Sequence, residues 1–139
     1  DRGMAEDLNS VKTKRGYHHG DLRAALLAAA EQVIAERGVE GFSLREAARR
    51  AGVSAAAPSH HFGDARGLLT ALAADAFAEL ADSLAAADTA GSRGDRIKAQ
   101  GMAYVAFALR WPARFDLMWR TPLLDRQDAA YRGAARRAY

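Results

Sequence analysis

The 139-residue chain contains no cysteine. That excludes a disulfide scaffold and every thiolate metal site, because both need the sulfur itself. Strand formers are scarce as well: Val, Ile and Thr together number 11, against 34 alanines. β-branched residues favour strands and alanine is the strongest helix former, so a sheet protein is excluded and an all-α fold is expected. No apolar run approaches the roughly 20 residues that span a bilayer, and no charged start with an apolar core marks a signal peptide. The chain therefore reads as cytoplasmic, with no membrane partner. Missing too are a glycine-rich phosphate loop, an H-E-x-x-H pairing and a nucleophile elbow, so an enzyme is the poorest of the function classes.

Half of the residues are hydrophobic, enough to bury a core without help. The net charge is only +3 at pH 7, but it is unevenly placed. Residues 1–10 carry −2, residues 11–62 +3, residues 63–90 −4 and residues 91–139 +6. A basic stretch near the start can face phosphate, whereas the basic stretch at the end reads by default as a solvated helix surface.

Met4 reads as a start residue, with Asp1, Arg2 and Gly3 as a cloning remnant. Residues 1–16 show no apolar period and carry Lys12, Lys14 and Arg15, which suggests a flexible arm. From a cap at Asp21, the residues Leu22, Leu26, Ala29, Ala30, Val33 and Ile34 fall on one helical face, and Gly38 ends that helix. Ser43-Leu44-Arg45-Glu46 has the form of a capping box, in which Ser and the Glu three residues later each satisfy a free backbone N–H. Gly52 stops the second helix almost at once and Ser54 can cap a third, running from Ala55 to His61 with Pro58 in its first turns. Two short helices joined by Ala51-Gly52-Val53 form a helix-turn-helix over residues 43–62.

Gly63-Asp64 introduces a long fourth helix with Leu68, Leu69, Leu72, Phe77, Leu80 and Leu84 along one stripe. After a loop at residues 89–94, a fifth helix is expected to turn Ile97, Tyr104, Val105, Ala108 and Leu109 inward and to stop at Trp111. Pro112 opens a sixth helix, and Asp125 can cap a seventh that reaches Tyr139 without a stop signal, as in a body that continues.

The segments Tyr17-His18-His19-Gly20-Asp21-Leu22-Arg23, Gly41-Phe42-Ser43-Leu44-Arg45-Glu46-Ala47-Ala48, Ala51-Gly52-Val53-Ser54 and His60-His61-Phe62-Gly63-Asp64, with Leu68-Leu69, resemble the N-terminal domain of the tetracycline-repressor (TetR) family of transcriptional regulators. Tyr104-Val105-Ala106-Phe107-Ala108 and Trp111-Pro112-Ala113-Arg114-Phe115-Asp116-Leu117-Met118 resemble a subgroup of that family more loosely. The resemblance implies a three-helix DNA-binding head at residues 17–63 and a helical effector-binding and dimerisation body at residues 64–139 that is truncated. It further implies a homodimer on a palindromic operator in double-stranded DNA, with half-sites about 34 Å apart, and a repressor released by a small-molecule effector.

The third helix matches the family's recognition helix, but its start, Ala55-Ala56-Ala57, offers only methyl groups to a base edge. Ser59 stands where the family usually has tyrosine and Ala65 where it has lysine; Arg66, one place on, can substitute for the lysine. Arg45 matches a family position from which an arginine reaches guanine, so it is the expected sequence reader, with His60 second. Ser43, Ser54 and Ser59 would donate to phosphate, Ala55 and Ala57 would touch thymine methyls, and Lys14 and Arg15 would add salt-sensitive affinity. A solvated helix charge is the plain alternative for Arg45. The adjacent pairs His18-His19 and His60-His61 point about 100° apart on a helix and cannot share a metal ion; no cofactor is expected.

Tyr104, Phe107, Trp111, Phe115, Met118 and Trp119 read either as body core or as the lining of an apolar or aromatic effector site, with Gly101 leaving space beside them. A second reading of the whole chain is a helical ligand-binding or interaction module whose head has lost the ability to read DNA. The Ala55-Ala56-Ala57 turn and Ser59 favour it.

Overall fold

A computed structural model describes residues 21–89 and 91–139, and all of its regular structure is helical. The head comprises α1 (described over residues 21–37), a 3₁₀ turn at Val39–Gly41, α2 (Leu44–Ala51) and α3 (Ala57–Phe62). The body comprises α4 (Ala65–Ala87), α5 (Arg93–Arg110), α6 (Pro112–Met118), a 3₁₀ turn at Thr121–Leu123 and α7 (Ala129–Ala138). The all-α expectation holds. The N-terminal arm with Lys12, Lys14 and Arg15, and the motif's first four residues at 17–20, lie outside the described residues.

Asp21 is already helical, so it is not the cap expected of it. Gly38 does end α1, at φ 77°, with its N–H donating to the Ile34 carbonyl at 2.8 Å. The buried face of α1 is Leu26, Leu27, Ala29, Ala30, Val33 and Ile34, the stripe that its spacing predicts.

α4 is the centre of the molecule. Asp64 caps it by accepting from the Gly67 N–H at 2.8 Å. At 1.5 Å per residue its 23 residues run about 35 Å. Leu68, Leu72, Ala73, Ala76, Phe77 and Leu80 are buried, and so are Leu69, Ala74 and Ala81, so more than one face is covered. α7, α5 and α6 all pack against it, α7 more extensively than the other two. Thr70 is buried too, with both hydroxyl functions used: it donates to the Arg66 carbonyl at 2.7 Å and accepts from the Asp125 N–H at 2.8 Å. One apolar cluster runs from Leu27, Ala30 and Ile34 of α1 through α4 to Leu117, Met118 and Tyr131, so head and body share a core.

Four expectations about the body need correction. α5 begins at Arg93, before Gly94, because Ser92 and Asp95 form a complete capping box there. α7 is capped by Asp128, which accepts from the Tyr131 N–H at 2.9 Å, whereas the Asp125 carboxylate accepts from the Gln127 N–H at 3.0 Å within the preceding turn. On α5, Tyr104 and Ala108 are half-buried, but Ile97, Val105 and Leu109 are 60%, 56% and 77% exposed. Gly101 is exposed as well: it adjoins Met102 and Val105 on the outer face and also the space beside Tyr104, but neither tryptophan. The helix carries two apolar stripes, and the one that turns inward holds Phe107, which is buried, and Tyr104, which packs against the core.

Candidate nucleic-acid interface and effector pocket

The helix-turn-helix is built by two stops. Gly52, at φ 71°, donates to the Arg49 carbonyl at 3.1 Å while Val53 donates to the Ala48 carbonyl at 3.1 Å, which closes α2 with paired bonds. Ala47 and Ala48 are fully buried, so α2 sits close against its neighbours. α3 then starts at Ala57, two residues later than its sequence suggests, with Pro58 in its first turn where no intrahelical N–H is needed. Ser54 makes no side-chain cap: Ala56 is the capping residue, and Ser54 only accepts at its carbonyl from the Ala57 N–H at 3.1 Å.

Half of the expected capping box forms. The Ser43 hydroxyl accepts from the Glu46 N–H at 3.3 Å, but the Glu46 carboxylate turns away from the cap and takes guanidinium donors from Arg49 at 2.7 and 3.0 Å and from Arg50 at 2.9 Å. Charge-assisted bonds to a fork of N–H donors outcompete a single backbone N–H. Arg49 first and Arg50 second pull the Glu46 carboxyl down to about 2. Arg50 also donates to Glu36 of α1 at 2.6 Å, which lowers that carboxyl as well. This network pins α2 to α1. Motif matching misses it, although Glu46, Arg49 and Arg50 stand at the (i, i+3) and (i, i+4) spacings that signal it.

Arg45 is exposed on the first turn of α2 and makes no ion pair among the described residues, unlike Arg49 and Arg50. Ser54, Ala55, Ala56, Ser59 and His60 are exposed around the start and outer face of α3, and Ala57 is half-buried. Ser43 is half-buried with its hydroxyl occupied by the cap. Arg66, though exposed, donates to the Pro122 carbonyl at 3.1 Å and so points toward the body. His61 and Phe62 turn inward to a cleft against α1, where the Arg23 guanidinium lies 5.6 Å from the Phe62 ring. No group of acids and histidines among the described residues could hold a metal ion.

Residues 21–62 hold five arginines and five carboxylates, so this part of the head has no net charge. Three of the five arginines, Arg37, Arg49 and Arg50, are ion-paired with Glu46 or Glu36. The basic excess of residues 11–62 therefore lies in the arm, at Lys12, Lys14 and Arg15.

The six aromatic and sulfur residues of the body separate into three groups. Phe107 and Met118 are core. Trp111 faces the head, with the Arg110 and Arg114 guanidinium groups 5.0 and 3.9 Å from its ring. Tyr104, Phe115 and Trp119 meet edge to face, with centroids 5.6 and 6.1 Å apart, and Trp119 continues to Tyr139 at 5.6 Å and to Phe77 at 6.3 Å. The Tyr139 hydroxyl closes this arc by donating to the Tyr104 hydroxyl at 3.4 Å. Beside it, between α4, α5 and α7, lies an open cleft of about 450 Å³ bordered by Leu84, Gly101, Tyr104 and Tyr139. That volume suits a small apolar molecule.

Residues 26–72 match the family model of the bacterial regulatory proteins of the tetR family. Among solved structures, a protein of unknown function from Rhodococcus sp. RHA1 is 40% identical and superposes over 88% of this chain and 64% of its own with a TM-score of 0.74. A chain assigned to the tetR-family transcription regulators, from Shewanella sp. PV-4, is 26% identical over 84% of this chain and 61% of its own, with a TM-score of 0.63. The chain thus spans less than two thirds of the length of either. Among curated proteins, none matches it.

Proposed function

Because residues 26–72 match the family model of the tetR-family bacterial regulatory proteins, we infer that the chain is a ligand-responsive repressor, a homodimer that binds a palindromic operator and is released by a small apolar effector. The observation that carries this is the head's outer surface. Arg45 is exposed and has no ion-pair partner among the described residues, while its neighbours Arg49 and Arg50 are held by carboxylates, which leaves one guanidinium of α2 for a base edge. A bidentate Arg–guanine contact is worth about 1–3 kcal/mol of discrimination. The exposed Ala55 and Ala56 bring methyl groups to the groove, His60 a ring nitrogen and Ser54 and Ser59 hydroxyls. Lys14 and Arg15 supply charge from the arm, and Arg66 reaches phosphate if its bond to Pro122 opens. The effector would sit at the cleft beside Tyr104, Phe115 and Trp119, with Phe107 and Met118 behind it and Trp111 outside it.

Selection from random duplexes tests the proposal. A palindrome with half-sites about 34 Å apart is expected; no enrichment of any sequence overturns it. The second reading, a helical module whose head no longer reads DNA, is favoured by the zero net charge of residues 21–62 and would give that flat result.

A further inference from the structure

We propose that Arg114 is a latch through which α6 sets the position of the DNA-binding head. It deepens the regulator reading, on which its consequence for the operator rests. Arg114 projects from α6 and donates through Nε to Glu31 of α1 at 2.6 Å and through Nη1 to Glu79 of α4. Its guanidinium also lies over the Trp111 ring at the corner between α5 and α6. One side chain thus holds the first helix of the head, the central helix and that corner.

One other ion pair joins the head to the region of α6, and it is weaker. Arg120 reaches Glu40 of the 3₁₀ turn, but the two side chains are 41% and 69% exposed, where ion pairs contribute little. Arg114 and Glu31 are only 20% and 21% exposed. Partly shielded from water, Glu31 loses its compensating charge when Arg114 leaves, so the bridge has a made state and a broken state with little between.

The placement of α6 connects that switch to the effector cleft. At 3.6 residues per turn, Phe115 lies about 100° around the helix from Arg114. Phe115 packs against Tyr104 and Trp119 while Arg114 packs against α1 and α4. α6 has seven residues between the Pro112 corner and Trp119, short enough to shift as one piece. A ligand that parts Tyr104 from Phe115 turns α6, and turning α6 draws Arg114 off Glu31.

The absence of cysteine makes the test direct. Spin labels on Ala56→Cys and Ala86→Cys, both at exposed positions of the head and the far end of α4, report the head-to-body distance by pulsed electron resonance on the full chain diluted with unlabelled protein. The original chain should give one narrow distance distribution. Arg114→Gln and Glu31→Gln should each broaden it about twofold, and Arg137→Gln, which removes the exposed pair with Asp82, should leave it narrow. Arg114→Lys keeps the charge but loses the fork, and gives an intermediate width if Arg114→Gln fails to fold. On unlabelled protein, Arg114→Gln should change operator affinity about tenfold and relax the preference for one half-site spacing. An unchanged distribution in Arg114→Gln or Glu31→Gln overturns the latch. If the labels broaden but the original chain selects no duplex, the latch stands and the regulator reading fails.

Discussion

Gly67, in the first turn of α4, and Gly101, inside α5, are both helical glycines, yet replacing each by alanine should move stability in opposite directions. A Cβ on Gly67 would lie 1.9 Å from the Phe62 carbonyl oxygen and 3.0 Å from its carbon. That oxygen belongs to the end of α3, so it cannot swing aside as a flexible side chain would. The junction must open by more than 1 Å to relieve the contact, and Asp64 must hold its cap on the Gly67 N–H meanwhile. Overpacking of this kind costs typically about 1–3 kcal/mol, and the rigid obstacle places Gly67→Ala at the upper end. The helix-propensity gain of alanine over glycine returns about 1 kcal/mol, leaving a net loss of about 2 kcal/mol. For a chain of this size each kcal/mol corresponds to about 3–5 °C in Tm, hence a fall of about 6–10 °C. At Gly101 a Cβ meets nothing within 4 Å, so only the propensity term acts and Tm should rise by about 3–5 °C. Thermal and urea melts followed by circular dichroism read both. A Gly67→Ala protein that melts at or above the original would refute the close α3–α4 approach, and a Gly101→Ala protein that loses stability would refute the open placement of α5's outer face.

Arg45→Ala should flatten the ranking of operator variants by about 1–3 kcal/mol per half-site, read by fluorescence anisotropy; an unchanged ratio of operator to scrambled DNA sinks that assignment. Lys14→Ala should weaken all duplexes alike and, by removing two charges from a dimer, lessen the slope of log affinity against log salt by about 2; an unchanged slope refutes it. The pH dependence of the head should follow Glu46, whose carboxyl titrates at about 2 when folded against about 4.3 when unfolded. With the folded value the lower, its ionised form contributes stability that is complete above the unfolded value and lost as pH falls toward about 2. The advantage of the original chain over Glu46→Gln should therefore shrink across that window and stay flat above about pH 5; an advantage that grows on acidification has the wrong sign. Trp119 emission should be quenched saturably by planar apolar compounds if the cleft beside Tyr104 binds them, and Tyr104→Ala should weaken that response; a flat response across a broad library counts against the site.

The head was more legible than the body, for reasons visible in single residues. Gly38, Gly52 and Asp64 act where only backbone conformation or a cap decides, and these are local events that spacing reveals. Ser43 was half legible: its cap on the Glu46 N–H forms, but the return bond does not, because two arginines at helical spacing claim the carboxylate. The start of α3 shifted because Pro58 fits best in a first turn, which moved the cap from Ser54 to Ala56. α5 was misread because two apolar stripes share its 3.6-residue period, and periodicity says nothing about which one finds a partner. The bulky Ile97, Val105 and Leu109 would be the natural choice, yet they stay exposed while Phe107 is buried and Tyr104 packs against the core. Arg114 was not singled out, since its partners Glu31 and Glu79 are 83 and 35 residues away in sequence.

Ala55 and Ala56 enter the fold only through their backbone, the Ala56 carbonyl accepting from the His60 N–H at 3.1 Å while both methyl groups stay exposed. Nothing in the core depends on which side chains stand there. The head thus separates its vocabulary from its grammar: helix stops, the Glu46 network and the Gly67 junction hold α3 in place, and the two alanines are nearly blank letters. On the regulator reading, arginine, asparagine or glutamine at these positions adds base contacts without repacking, so a lineage or a designer can change the sequence such a head reads at small cost to its stability.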